Sequence, residues 1–340
     1  MKLTKYKGNP ILSPNPENDW ESLCVLNPAV VLDDDNTFKM LYRAAGNDEE
    51  HYIYLGLATS KDGFTFTREF DHPVLEPDKN GADGGGVEDP RAIKLGDHYY
   101  ITYASRPYFP GQYWLGDDKK KKPVHASAEP LFLMENKTCT HLAITKDFIH
   151  FKKLGRITDS RYDNRDVILF PEKVNGKYVL LSRPMEWVGP EYGTPVPSIW
   201  ISYSDDLMEW DTHTLLAKPE QWWEDKKIGA STPPLRTEDG WLLLYHGVSE
   251  KDSMYRVGAM LLQLDNPSNI IARTTDFIME PEFDFETNGY YNGCVFPTGN
   301  VIKDNILYVY YGAADRYICV ATCEMDEPLS YLKSQALQVK

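Results

Sequence analysis

Cysteine is scarce and scattered in this 340-residue chain. The five cysteines are Cys24, Cys139, Cys294, Cys319 and Cys323. They form no CxxC pair and no Cys/His spacing that suits zinc. Cys319 and Cys323 lie four apart in a strand-like run, on one face of it. The set reads as reduced packing thiols of a cytoplasmic protein. No run approaches the roughly 18 apolar residues of a membrane span. The opening MKLTKYKGNPILSP lacks the apolar core of a signal peptide. Basic residues are in deficit, 36 Lys and Arg against 51 Asp and Glu, for a net charge of −15. That argues against a broad nucleic-acid surface or an anionic-membrane surface, yet leaves room for a local basic pocket around a small anion. At 42% hydrophobic and 26% charged, the composition is that of a globular chain, not a disordered or collagen-like one. Helical 3.6-residue patterning is nearly absent. Aromatics are plentiful, 13% with Tyr 22 and Trp 8, which suits a β-rich core or a site where rings stack on sugar faces.

One unit recurs five times. An apolar strand leads into an Asp, Asn or Gly turn, then an aromatic-rich strand, then a further strand. The copies run from Asn27 to Arg68, Glu88 to Leu154, Arg165 to His213, Lys227 to Arg273 and Asn292 to Met325. Alternation and β-branched or aromatic enrichment mark the runs as strands. DDDN, LGDH, VNGK, TEDG and KDN read as hairpin turns. Five copies of about four strands predict an all-β fold, a five-bladed β-propeller spanning residues 1–340 as one domain. A two-sheet sandwich has no reason to repeat five times. A long insertion at about 105–140 breaks the period. Its four lysines, Lys119 to Lys122, read as a solvated loop tip. Its aromatics, Tyr108, Phe109, Tyr113 and Trp114, suit a lid or a contact in a homo-oligomer.

In a propeller the innermost strands line the central channel, so polar residues in the same phase of each repeat are candidates for one site. They are Asn27, Glu88 with Asp89, Arg165 with Asp166, and Lys227. The ends of the second strands add Arg43, Arg183, His246 and Asp315. Asp89, with Glu88 and Asp315 as further candidates, supplies carboxyls, one of which can serve as general acid if its surroundings raise its pKa. Arg165, Arg183 and Lys227 are cations in an acidic protein, and their convergence implies an anion such as phosphate.

The strings GVEDPR (86–91), RDVILFPEK (165–173), SRP (182–184), WWEDKKIGAS (222–231), GWLLLYHGV (240–248) and YYGAAD (310–315) resemble glycoside hydrolase family 130. That family comprises inverting β-mannoside phosphorylases and β-mannosidases on five-bladed propellers. The likeness runs from about Asn9 to Cys323. Its EDPR form is similar to the branch acting on β-1,4-mannosyl-N-acetylglucosamine and β-1,2-mannosides. The resemblance implies that Asp89 is the general acid, passing its proton through the mannose 3-hydroxyl. It implies that Asn27, Arg43, Glu88, Lys227 and Asp315 hold the sugar. It assigns phosphate to Arg165, Arg183, Lys227 and Tyr255, with His246 close by. Pro28 stands where many members have Ser, Ser231 where KIGAG is commoner, and the insertion is larger than in compact members.

Phosphate is itself a nucleophile and needs cations, whereas an inverting hydrolase needs a second carboxylate to activate water. The expectation is therefore a phosphorylase using inorganic phosphate as co-substrate, with no metal or organic cofactor and with a mannoside oligosaccharide as partner. The rivals are a β-mannosidase of the same fold and a non-catalytic sugar-binding propeller.

Overall fold

Five antiparallel sheets follow one another along the chain, in a computed structural model that describes residues 1–124 and 135–336. Blade one is β2 (Cys24–Leu32), β3 (Phe38–Ala45), β4 (Ile53–Ser60) and β5 (Thr67–Arg68). Blade two is β6 (Glu88–Leu95), β7 (His98–Ser105), β8 (Cys139–Thr145) and β9 (Phe151–Arg156). Blade three is β10 (Asn164–Leu169), β11 (Tyr178–Pro184), β12 (Ile199–Ser204) and β13 (Asp211–Ala217). Blade four orders β14 (Lys227–Ala230), β16 (Trp241–Val248), β17 (Tyr255–Leu262) and β18 (Ile270–Arg273), with β15 (Leu235–Arg236) also on β16. Blade five is β19 (Val295–Lys303), β20 (Ile306–Ala313) and β21 (Tyr317–Glu324). This is the five-bladed propeller that the repeats predict.

The fifth repeat holds only three strands of its own. Its fourth comes from the other end of the chain, β1 (Thr4–Lys5), which pairs antiparallel with β21 through Thr4↔Thr322. Lys5 Nζ anchors the closure with an ion pair to Glu286, 2.8 Å away and fully buried. Two α-helical segments among the described residues were not anticipated, the single turn Asp284–Thr287 and a longer helix. Asp326–Ala336 follows the last blade, and its Leu332 is buried with residues of blades four and five. Acidic residues and Pro328 in its first turn are ordinary helix-start signals. No helix among the described residues is long and apolar enough to cross a membrane.

The turn chemistry follows the sequence. Asp304 and Asn305, both at left-handed φ (51° and 62°), join β19 to β20 in a two-residue hairpin. Asn175 and Gly176 do the same between Val174 and Lys177. In three blades the third strand ends on a hydroxyl followed two residues later by Asp: Ser60/Asp62, Thr145/Asp147 and Ser204/Asp206. Each Asp accepts backbone N–H bonds from the residues two and three places on.

Packing is distributed around the ring. Ile168 and Leu181 of blade three meet Leu243 and Met260 of blade four. Leu242 and Val257 of blade four meet Val309 and Tyr311 of blade five. Phe38 and Met40 of blade one meet Tyr310 and Val320 of blade five. Each blade is thus a wedge with apolar side chains on both faces, and the axis is left to polar residues.

Candidate active site

The inner strands carry a shared irregularity. Asn27, Asp89 and Asp166 each sit at a break in the inner-strand register, between Leu26 and Ala29, Glu88 and Arg91, and Arg165 and Ile168. All three have left-handed φ, 46°, 47° and 53°. A bulge of this kind re-aims the extra residue out of the ladder, and Asn and Asp tolerate the conformation best among residues with side chains. Here all three line one cavity of about 450 Å³ on the axis.

Asp89 is gripped from two sides. Its Oδ1 accepts from Asn27 Nδ2 and from Arg43 Nη1, each at 2.8 Å. Burial works against the anion, but the Arg43 and Arg91 guanidiniums and the Asn27 bond outweigh it and hold the carboxyl below its usual range. The raised pKa that would ready a general acid is therefore absent here; two guanidiniums keep the group ionised. Glu88 also faces Arg43, at 3.3 Å. Asp315 goes the other way. Burial pushes its carboxyl up despite Arg43, and Oδ2 accepts a 2.7 Å bond from the Tyr113 hydroxyl.

The cationic side completes the cavity. Arg165, Arg183 and Lys227 all line it together with Asp89. Arg165 forks onto Asp163, at 2.7 and 2.8 Å. Arg183 holds Asp166 through Nε at 2.7 Å and Nη2 at 2.6 Å. Lys227 Nζ donates to the Tyr255 hydroxyl at 2.8 Å. No carboxylate lies within ion-pair distance of that amine among the described residues. Burial, together with Arg183 and Arg165, lowers the Lys227 pKa from 10.5 to about 7. An amine set beside two guanidiniums, with no carboxylate of its own among the described residues, gains its proton most readily when an anion enters.

His246 departs from its expected place. It is fully buried and does not line the cavity. Its Nε2 lies 3.4 Å from Asp166 Oδ2, behind that carboxylate, and its ring stacks on Tyr255 at 5.4 Å. Burial lowers its pKa to about 4. It thus reaches the anion site through Asp166 and Tyr255. Ser231, one of the departures from the family pattern, contacts His246 Nδ1 at 3.1 Å.

The insertion folds onto its own chain. Trp114 packs on Tyr290 at 4.4 Å, Phe109 on Tyr52 at 5.9 Å, and Gly111 N–H bonds Glu50 O. Tyr113 and Lys120 line the cavity. The lysine run is therefore not wholly a solvated tip: Lys120 is half-buried, paired with Asp117 at 2.7 Å. The part of the insertion at residues 125–134 lies outside the described residues.

Sequence reading missed Arg91, Arg106 and Asp163 as neighbours of the site; it placed Asp166 among the channel residues but gave it no chemical role. Asp166 carried a usable signal, since it occupies the same phase as Asn27 and Asp89. Six buried polar atoms here make no hydrogen bond to the described residues: Asn27 Oδ1, Arg43 Nε, Glu88 Oε1, Arg91 Nη2, Arg106 Nε and His246 Nε2. Such a concentration marks a site built for something other than stability.

Comparison with known proteins agrees with this geometry. A family model described as beta-1,4-mannooligosaccharide phosphorylase matches residues 3–334. The chain is 38% identical to a 1,2-beta-oligomannan phosphorylase of Thermoanaerobacter sp. (strain X514), over 96% of this chain and 99% of the relative. It is 39% identical to a beta-1,2-mannobiose phosphorylase of the same strain, again over 96% and 99%. The solved structure of the beta-1,2-mannobiose phosphorylase from Listeria innocua, in complex with beta-1,2-mannobiose, superposes with a TM-score of 0.79 at 26% identity, covering 98% of this chain and 100% of that one. With a ring of five blades, one cavity of carboxylates and cations, and a match over nearly its whole length, the chain belongs to glycoside hydrolase family 130.

Proposed function

We propose that this protein is an inverting phosphorylase of β-1,2-linked mannosides, converting a β-mannoside and inorganic phosphate into α-mannose 1-phosphate and a shortened acceptor. The observation that carries the reading is the convergence of Arg165, Arg183 and Lys227 on the cavity that holds Asp89. Lys227, with its lowered pKa and no carboxylate partner among the described residues, is the group that a phosphate dianion completes. The β-1,2 linkage is supported by the two relatives at 38% and 39% identity, both named for 1,2-linked substrates.

In this mechanism the cations hold phosphate in line with the anomeric carbon. A phosphate oxygen forms the new C1–O bond as the glycosidic C1–O bond breaks, which inverts the anomeric centre. The departing oxygen takes a proton that originates on Asp89, by way of the sugar 3-hydroxyl. Asn27, Arg43 and Asp315 hold the sugar. Asp89 is ionised at rest, so it takes up a proton from solvent as the complex forms. A dianion entering the cation cage lowers the positive potential at Asp89 and raises its proton affinity. Inorganic phosphate is the co-substrate, and because side chains supply the cations the scheme invokes no metal or organic cofactor. The five buried, unpaired thiols accord with a cytoplasmic enzyme.

Hydrolysis would need a carboxylate free to act as base. Asp166 lies in the cage, but Arg183, His246 and Arg91 hold its carboxyl well below the usual range against the pull of burial. A carboxylate so tightly held is a weak base, which favours phosphorolysis. The test is product analysis on β-1,2-mannobiose with and without phosphate. Mannose 1-phosphate formed only with phosphate supports the reading; mannose released equally well in phosphate-free buffer defeats it.

A further inference from the structure

A second cavity, of about 510 Å³, lies between blades two and three, within the roughly 300–1,000 Å³ range of small-molecule sites. Strand alternation places it behind the anion site. Arg165 and Arg183 are register partners and line the catalytic cavity. Their neighbours Asn164 and Ser182 point to the opposite face of the same hairpin and line the second cavity, with Ser202 and His213 farther out on that face. The facing wall is the segment from Arg156 to Asp159, at the end of blade two.

Trp187 and Tyr162, both part of its lining, bring aromatic surface to this groove. The two rings meet edge to face at 5.6 Å, and Trp187 lies parallel to Tyr192, 5° apart in plane, and edge-on to His213 at 5.2 Å. Both Trp187 and Tyr162 stay partly exposed. The charges present cancel. Arg161 forks onto Asp159 with Nε 2.8 Å from Oδ2, and burial keeps the His213 pKa below its usual value. This groove therefore lacks the cation excess of the catalytic cavity and does not suit an anion. Flat rings beside paired hydrogen-bonding groups suit a neutral polyol with apolar faces, which is a pyranose.

We propose that this groove is a second carbohydrate site, which holds mannosyl units of a β-linked oligomannan apart from the catalytic cavity. The identity of the sugar rests on the phosphorylase reading above. Trp187 supplies the stacking platform, and Arg161 and Asp159 offer a donor and acceptor pair to ring hydroxyls. A site that holds remote units raises the local concentration of long chains and leaves a disaccharide, which occupies only the catalytic cavity, unaffected.

The experiment titrates a β-1,2-mannan oligosaccharide of several units into full-length Asp89→Asn protein by calorimetry, alone and combined with Trp187→Ala or Arg161→Ala. The expected result is two sites per chain in the parent and one in each combination. In the otherwise unaltered enzyme, each substitution should raise KM for the long oligosaccharide about tenfold, which corresponds to about 1.4 kcal/mol, with kcat and KM for mannobiose unchanged. Arg161, whose side chain is 75% exposed, keeps the test valid if Trp187→Ala does not fold. A single site in the parent, or two sites surviving Arg161→Ala and Trp187→Ala, overturns the proposal. Mannobiose phosphorolysis that persists beside a single binding site rejects the groove alone. Absence of phosphorolysis and of all mannoside binding rejects the functional reading beneath it.

Discussion

Replacing Lys227 with methionine should stabilise the protein while disabling it. The native environment lowers this amine from 10.5 to about 7. At about 1.4 kcal/mol per unit, the native state disfavours the protonated side chain by about 4 kcal/mol at pH 7 relative to the unfolded chain. Between pH 7 and 10.5 the unfolded chain binds more protons than the folded one. The penalty therefore shrinks as pH rises through that window, to about 1 kcal/mol at pH 9.5. Methionine is similar in length and carries no charge. It forfeits the 2.8 Å bond to Tyr255, a loss of about 1 kcal/mol. The net expectation is a gain of about 3 kcal/mol at pH 7 and about zero at pH 9.5, read by urea unfolding in phosphate-free buffer. Phosphate at a hundred times its Kd should stabilise the unaltered protein by about 2.7 kcal/mol, an increment the variant should lack. A variant no more stable than the parent at pH 7, or one equally stabilised by phosphate, would refute the argument that this lysine waits for an anion.

Three further outcomes follow from the same geometry. Asp89→Asn keeps a partner for Arg43 and Asn27 and removes the proton source, so turnover on β-1,2-mannobiose should fall by roughly 10²–10⁴-fold with mannoside affinity nearly retained; intact turnover would point to a sugar-binding propeller instead. Arg183→Ala should raise KM for phosphate far more than KM for mannoside, and should destabilise by about 3–5 kcal/mol because Asp166 stays buried without its main partner; steady-state kinetics and thermal unfolding read the two effects. Removing residues 1–5 deletes β1 and leaves Glu286 buried without Lys5, so the melting temperature should drop by several degrees, and an unchanged melting curve would mean that the ring does not depend on this closure.

Much of this molecule is legible one repeat at a time. Period-2 alternation, Asn-Gly and Asp-Asn hairpins and the recurring hydroxyl-x-Asp turn are local features with local causes, and they recover five blades with boundaries close to those observed. The residues at equal phase, Asn27, Asp89 and Asp166, follow from the repeat because radial symmetry sends equal phases to one axis. The fourth strand of the last blade was not legible, since its pairing links Thr4 to Thr322 across the whole chain. His246 shows a subtler limit. Its motif places it near the anion site, but only packing shows that Asp166 stands between them.

Alternation, turn chemistry and repeat phase thus suffice to specify a ring of five sheets with carboxylates and cations gathered at its centre, because each depends on neighbours a few residues away. The charge state of those groups depends on atoms far off in the chain. Arg43 and Arg91 keep Asp89 ionised, burial raises the Asp315 carboxyl, and burial together with two arginines lowers the Lys227 amine. Proton affinities are set by distance and by exclusion of water, and both came into being only when the five wedges closed around the axis.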